Sequence, residues 1–179
     1  MAAQNKLDAI LEVAEDMVRE GGYNNFSHRT IADKVGIKSA SVHYYFPTKE
    51  ALGAAVAKRY AERFLSALGD PDTMRQSGRD PIALYTDAFR TSLRRDKRMC
   101  LCGLLGAEVD SLPNDVAGAT RSFFEANLTW LKTALAGRGE ADAEKRAHQI
   151  LSVLEGAMLT ANVFGDVRIF DDAIEVLRT

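Results

Sequence analysis

Apolar residues recur along this chain at intervals of three and four, and no stretch alternates apolar with polar, so the pattern predicts amphipathic helices rather than strands. Leu7, Ile10, Leu11, Ala14 and Met17 form the stripe of a first helix, which Gly21-Gly22 stop. A short second helix is predicted from Ser27, whose hydroxyl suits an N-cap, to Val35, with Gly36 placed for the left-handed conformation beyond its end. A third runs from Ser39 to Phe46 and stops at Pro47. Thr48 can cap a fourth, which continues through Leu52, Val56, Tyr60, Phe64 and Leu68. The stretch 69–80 is rich in Gly, Pro, Asp and Ser and reads as a linker.

Asp80-Pro81 then pairs an N-cap with proline at the first helical position, opening a helix through Ile82, Tyr85, Phe89 and Leu93. A shorter helix is predicted from Met99 to Val109. Asn114 can cap a long one carrying Val116, Thr120, Phe123, Phe124, Leu128, Leu131 and Leu135, which Gly137 and Gly139 end. The next, from about Glu140 to Phe164, has Ala147, Ile150, Leu151, Leu154, Ala157, Met158 and Ala161 on one stripe, with Val153 and Leu159 off it. An apolar face wider than one core contact requires is a face for a partner to cover. A last helix holds Phe170, Ala173, Ile174 and Leu177. The fold expected is all-α, without internal repeats.

With 179 residues, 46% apolar and 27% charged, the chain is an ordinary globular one, long enough for a small module joined to a larger domain. Residues 1–20 mix Lys6, Asp8, Glu12 and Glu15 with the apolar positions, so they offer no signal-peptide core, and no run approaches the roughly 18 apolar residues of a membrane span. A cytoplasmic protein with no membrane partner is expected. Two cysteines, Cys100 and Cys102, are too few for a disulfide framework. The net charge of −2 argues against a nucleic-acid partner until its distribution is considered. Between Asn25 and Tyr60 stand six basic residues (Arg29, Lys34, Lys38, Lys49, Lys58, Arg59) and two acidic ones (Asp33, Glu50), a local +4 that leaves −6 for the rest. A positive module on an acidic chain is the footprint of one part meeting phosphate.

That module contains FSHRTIADKVGIKSASVHYYFPTKEAL, from Phe26 to Leu52. A helix-turn-helix needs a small residue where its helices cross, a glycine in the turn and apolar residues pointing inward. Ala32, Gly36, and Ile31, Val35, Ile37 and Val42 meet these demands. A helical hairpin in any bundle shares that spacing, but it leaves the outward face unexplained. Lys38, Ser39, Ala40, Ser41 and His43 place short or hydrogen-bonding groups where a recognition helix enters the major groove, and are expected near bases. Tyr44, Tyr45, Thr48 and Lys49 are expected mainly on phosphate, as are His28, Arg29 and Thr30 in the first turn of the preceding helix.

At these residues the chain closely resembles the TetR family of bacterial transcriptional regulators. Arg29-Thr30-Ile31-Ala32, Val35-Gly36, His43-Tyr44-Tyr45-Phe46 and Lys49-Glu50-Ala51-Leu52 follow the family pattern over about the first 60 residues, with His43 standing where the family commonly has an aromatic such as Tyr. The resemblance implies a three-helix DNA-binding head, a fourth connecting helix, and a C-terminal domain that binds a small effector and dimerises through its last long helices. The division expected is a head over 1–48, with the motif at about 27–46, and an effector-binding and dimerisation domain over 49–179. The implied function is a repressor, not an enzyme, that leaves a palindromic operator when its effector binds.

For the effector, Tyr85, Phe89, Phe123, Phe124 and Met158 offer apolar walls, and Cys102, Glu108, His148 and Asn162 polar groups, although most of the aromatics also suit an ordinary core. Leu154, Ala157, Ala161, Ile174 and Leu177 are the expected dimer contacts. Cys100 and Cys102 could form a thiol sensor, but at i and i+2 of one helix they point to nearly opposite sides. The three histidines, His28, His43 and His148, are too scattered for a metal site, and no cofactor is expected. Two other classes stay open. A small hydrolase would lose turnover on changing Cys100 or His148, and a structural helical adaptor would show neither turnover nor DNA binding.

Overall fold

The computed structural model describes residues 3–96 and 98–178, and every regular element among them is helical. In chain order these are α1 (Ala3–Gly21), α2 (His28–Val35), α3 (Ser39–Tyr45), α4 (Lys49–Leu68), α5 (Pro71–Gln76), α6 (Pro81–Asp96), α7 (Leu101–Ala107), α8 (Asn114–Ala136), α9 (Ala143–Phe164) and α10 (Val167–Ala173), with short 3-10 turns at Tyr23–Asn25, Val109–Ser111 and Ile174–Arg178. The all-α expectation holds.

Two compact units divide the chain: Met1–Glu62 with Leu101–Phe123, and Arg63–Cys100 with Phe124–Thr179. This grouping differs from a boundary at residue 48. The start of α4 buries Leu52, Val56 and Ala57, and α7 brings Leu101, Cys102 and Leu105 into the same unit, where α7 packs on α1. In the second unit α9 packs on α6 and α10, around Tyr85, Leu131, Ile150, Leu154, Met158 and Phe170. There the Trp130 Nε1–H donates to the Gly69 carbonyl at 2.7 Å.

The stretch read as a linker contains α5. Asp70 accepts the Thr73 N–H at 2.8 Å, Pro71 takes the first helical position, and Met74 is buried, so a cap and one apolar anchor hold a helix too short to show a periodic stripe. The α9 helix begins at Ala143 rather than near Glu140, because the Asp142 carboxylate accepts the Lys145 N–H at 3.1 Å and fixes the start there. Cys100 and Cys102 do not share a helix: Cys100 precedes α7, and both side chains are buried and outside any disulfide. Among the described residues no helix is long and apolar enough to cross a membrane, and no three potential metal ligands cluster.

Candidate nucleic-acid interface

The α2 helix starts on a reciprocal cap. Ser27 Oγ accepts the Thr30 N–H at 3.1 Å while the Ser27 N–H donates to Thr30 Oγ1 at 2.9 Å, so two helix-end donors are satisfied at once. Ile31 and Ala32 are buried, and the Ala32 side chain is small enough for α3 to pack closely on α2. Gly36 then turns the chain at φ +75°, a conformation that a Cβ resists, and the Ile37 N–H closes the turn on the Ala32 carbonyl at 3.0 Å. Val42 of α3 is fully buried, and Phe46 follows it inward.

With Val42 and Phe46 inward, the opposite side of α3 faces solvent. Lys38, Ala40 and His43 are exposed, Tyr44 is 82% exposed, and Ser39, Ser41 and Tyr45 are half-buried. An aromatic side chain left this far in water buries little of its own surface, which fits a contact surface rather than a core. Tyr44 and Tyr45 meet edge to face, 5.3 Å between centroids. Arg29 and Thr48 are also exposed, and Thr48 Oγ1 accepts the Ala51 N–H at 3.1 Å, capping α4.

Three residues expected on phosphate also make contacts within the chain, one of them buried and two at the surface. His28 is buried: its Nε2 lies 2.8 Å from the Phe46 carbonyl oxygen, an acceptor only, so Nε2 carries the proton and donates. The ring stacks on His43, with centroids 4.1 Å apart and planes 4° from parallel. His28 thus ties the start of α2 to the end of α3 and braces the exposed imidazole. Thr30 spends its hydroxyl on the cap. Lys49 reaches back over Tyr23 and Phe26, 4.5 and 5.0 Å from their centroids, and to Asn24 Oδ1 at 3.4 Å. Burial holds its pKa below the usual lysine range, and Glu108 partly opposes that shift. Nothing in the spacing of hydrophobic positions signals the inward turn of His28, because an imidazole serves equally well on either face.

A family description, bacterial regulatory proteins of the tetR family, matches residues 10–56, which hold most of α1, all of α2 and α3, and the start of α4. A TetR transcriptional regulator from Legionella pneumophila is 32% identical, with a TM-score of 0.88 over 96% of this chain and 95% of that one. The chain belongs to the TetR family of bacterial regulatory proteins. A TetR-family regulator from Agrobacterium tumefaciens is 28% identical, with a TM-score of 0.85 over 98% of this chain and 97% of that one. The HTH-type transcriptional regulator RutR of Escherichia coli O157:H7 is 25% identical over 139 residues, 74% of this chain, and the match spans 65% of the length of RutR.

In this TetR-family regulator the residues expected around an effector fall into different places. Cys102, Glu108 and Phe123 belong to the first unit. Glu108 accepts the Tyr23 N–H at 2.9 Å, and Phe123 is buried 5.8 Å from the Tyr60 ring. His148 is exposed on α9. Tyr85, Phe89, Phe124, Met158 and Asn162 lie in the second unit, where the Tyr85 hydroxyl donates to Asn127 Oδ1 at 2.7 Å and Asn162 lines a cavity of about 400 Å³.

Of the expected dimer contacts, Leu154, Ala157, Ala161 and Ile174 are buried within the single chain, and Leu177 is half-buried. At the end of α9, Leu159, Val163 (71% exposed) and Phe164 (70%) stand in solvent. Leu159 stood off the main stripe in the sequence. The stripe itself is consumed by α6 and α10.

Proposed function

We propose that this regulator is a homodimeric repressor in which α3 reads the major groove of a palindromic operator and a small molecule held in the second unit releases it. The observation that carries this reading is the two-sided character of α3: Val42 sealed inward, with Lys38, Ala40, His43 and Tyr44 offered to solvent. Lys38, Ser39, Ala40, Ser41 and His43 approach base edges, while Arg29, Tyr44, Tyr45, Thr48 and Lys49 position the head on phosphates. His28 and Thr30 act through their neighbours, as brace and cap. Residues 1–48 carry recognition and 49–179 carry effector binding and pairing, in the cytoplasm.

The face that pairs two copies is Leu159, Val163 and Phe164, and pairing sets the two heads roughly 34–36 Å apart, one helical turn of DNA. The α4 helix runs unbroken from one unit into the other and acts as the lever. An effector that favours another head spacing by about 1–3 kcal/mol lowers operator affinity roughly 5- to 150-fold. The test is a salt titration of binding to double-stranded DNA selected from the neighbouring genome sequence. With six to ten phosphate contacts, affinity should fall by about 10³–10⁵ between 50 and 200 mM salt. A flat response would sink the reading.

A further inference from the structure

Glu155 sits on α9 four residues after Leu151 and three before Met158, inside the stripe that builds the second unit's core. Both its carboxyl oxygens are sealed from solvent, and among the described residues they meet no stronger donor than the weak thiol of Cys100. No described Lys, Arg or His pairs with it. A buried carboxylate without a counter-charge is costly, and it is resolved in one of two ways: by taking up a proton or by meeting a cation.

The surroundings favour a cation with an apolar body. The Cys100 thiol faces the carboxyl, and the Cys100 N–H donates to Met158 Sδ at 3.0 Å. Tyr85, from α6, lies within the field of Glu155, and its ring packs against Phe64, Phe89 and Trp130 at 5.9, 5.4 and 5.3 Å. On α6, Tyr85, Phe89 and Leu93 follow one another at four-residue steps. On α9, Glu155, Met158 and Asn162 do so at three and four. Leu93 and Asn162 both line the 400 Å³ cavity, one turn beyond the buried Phe89 and Met158 along the same helix faces. The charges at its rim are already matched, Asp166 with Arg168 at 2.6 Å and Arg94 towards Asp171 at 3.9 Å.

We propose that the second unit takes an organic cation, a protonated or quaternary amine on an apolar body, with its positive charge on the Glu155 carboxylate and its body along Tyr85, Phe89 and the cavity at Leu93 and Asn162. This rests on the reading of the second unit as the effector site. The ligand supplies the missing counter-charge, and the aromatic faces and the Met158 sulfur favour a soft cation over a hydrated one. An anion would meet an uncompensated negative charge.

Burial raises the Glu155 carboxyl to about 7, with the Cys100 thiol partly opposing. A permanent cation must therefore displace a proton from Glu155 at lower pH, so its affinity rises about tenfold per pH unit up to about 7 and levels off above. The experiment titrates benzyltrimethylammonium, and its uncharged carbon isostere, into the full-length chain from pH 5 to 8. The chain's single tryptophan, Trp130, reports binding from beside Tyr85, and a second titration includes the selected double-stranded DNA. Wild type should bind the ammonium with that pH dependence, and Glu155→Gln should lose at least about tenfold of the affinity and all of its pH dependence while melting cooperatively. Glu155→Asp, which keeps the charge, should retain a measurable pH dependence. Equal binding of ammonium and isostere, or unchanged ammonium binding by Glu155→Gln, would overturn the proposal and leave Glu155 a neutral buried acid. Salt-dependent DNA binding without any ammonium binding refutes the cation site and spares the regulator. Ammonium binding through Glu155 by a chain that holds no DNA supports the cation site and removes the regulatory reading.

Discussion

The two units treat a buried ionisable side chain in opposite ways. In the first, His28 gives its Nε2–H to the Phe46 carbonyl and its ring face to His43. In the second, the Glu155 carboxyl is enclosed with only the weakly donating Cys100 thiol against it among the described residues. A satisfied polar group specifies one arrangement of its neighbours, and an unsatisfied one leaves a demand that something else must meet. The contrast matches the division of labour proposed above. A recognition surface gains from being fixed before it meets DNA, whereas a sensing unit must be able to gain free energy from a ligand it does not yet hold.

The strongest test of that division acts on the second unit and reads the first. Val163→Asp on the exposed end of α9 should leave the thermal midpoint nearly unchanged, since the side chain is not in the protomer core, yet remove the pairing of heads. Affinity for a palindrome should then fall by about 10²–10⁴, the gain that bivalent binding provides, with a monomer seen by sedimentation. A dimer that still binds tightly would place the pairing face elsewhere.

The next largest effect is on stability. The Glu155 carboxyl is raised from the 4.5 of an exposed glutamate to about 7 in the folded chain, so the folded state holds its proton more tightly than the unfolded one. Stability from this group is greatest below about pH 4.5, declines as pH rises through about 7, and is constant above, a loss on the order of 3 kcal/mol. Denaturant midpoints from pH 4.5 to 8 should show this decline in wild type, and Glu155→Gln should be flat.

A smaller loss is expected from His28→Ala, which orphans the Phe46 carbonyl and unstacks His43. Stability should drop by roughly 1–3 kcal/mol. His28→Gln, which keeps a donor but not the ring, should recover stability more fully than it recovers the base preference at the position read by His43. Equal recovery of both would mean that the stack does not orient His43. The smallest effect is Lys49→Ala, which should weaken binding to all sequences alike and reduce the salt slope by about one unit, with no change in base preference.

The periodicity of the chain made most helices legible, because their stripes at Ile10, Ala14 and Met17, or at Ile150, Leu154 and Ala161, are long enough to show a 3.6-residue period. It also made the family legible, since Ala32, Gly36, Val42 and the aromatic run ending at Phe46 are each demanded by the local geometry of one motif. The α5 helix was not legible, because six residues cannot display a period and its Pro and Asp look like a loop until the Thr73 N–H is seen bonded to Asp70. The residues on the wide face of α9 were visible, but which of them faced inward depended on α6 and α10. The stripe went to the core, and Leu159, noted only as off the stripe, stayed in solvent. Glu155 carried a signal that went unused: a charge at an inward position of an apolar helix face.

Gly22, at φ +77°, admits Glu108 so closely that an added Cβ would collide with its Oε1, and the carboxylate of Glu108 holds the Tyr23 N–H from 85 residues away along the chain. During synthesis, the unit that contains the recognition helix cannot close on that clamp until Glu108 has left the ribosome. Nor can it be lifted out as an N-terminal cassette. A graft of residues 1–62 onto a foreign body would carry an empty notch at Gly22 and an unpaired Tyr23 amide, whereas replacing single side chains along α3 leaves this clamp in place.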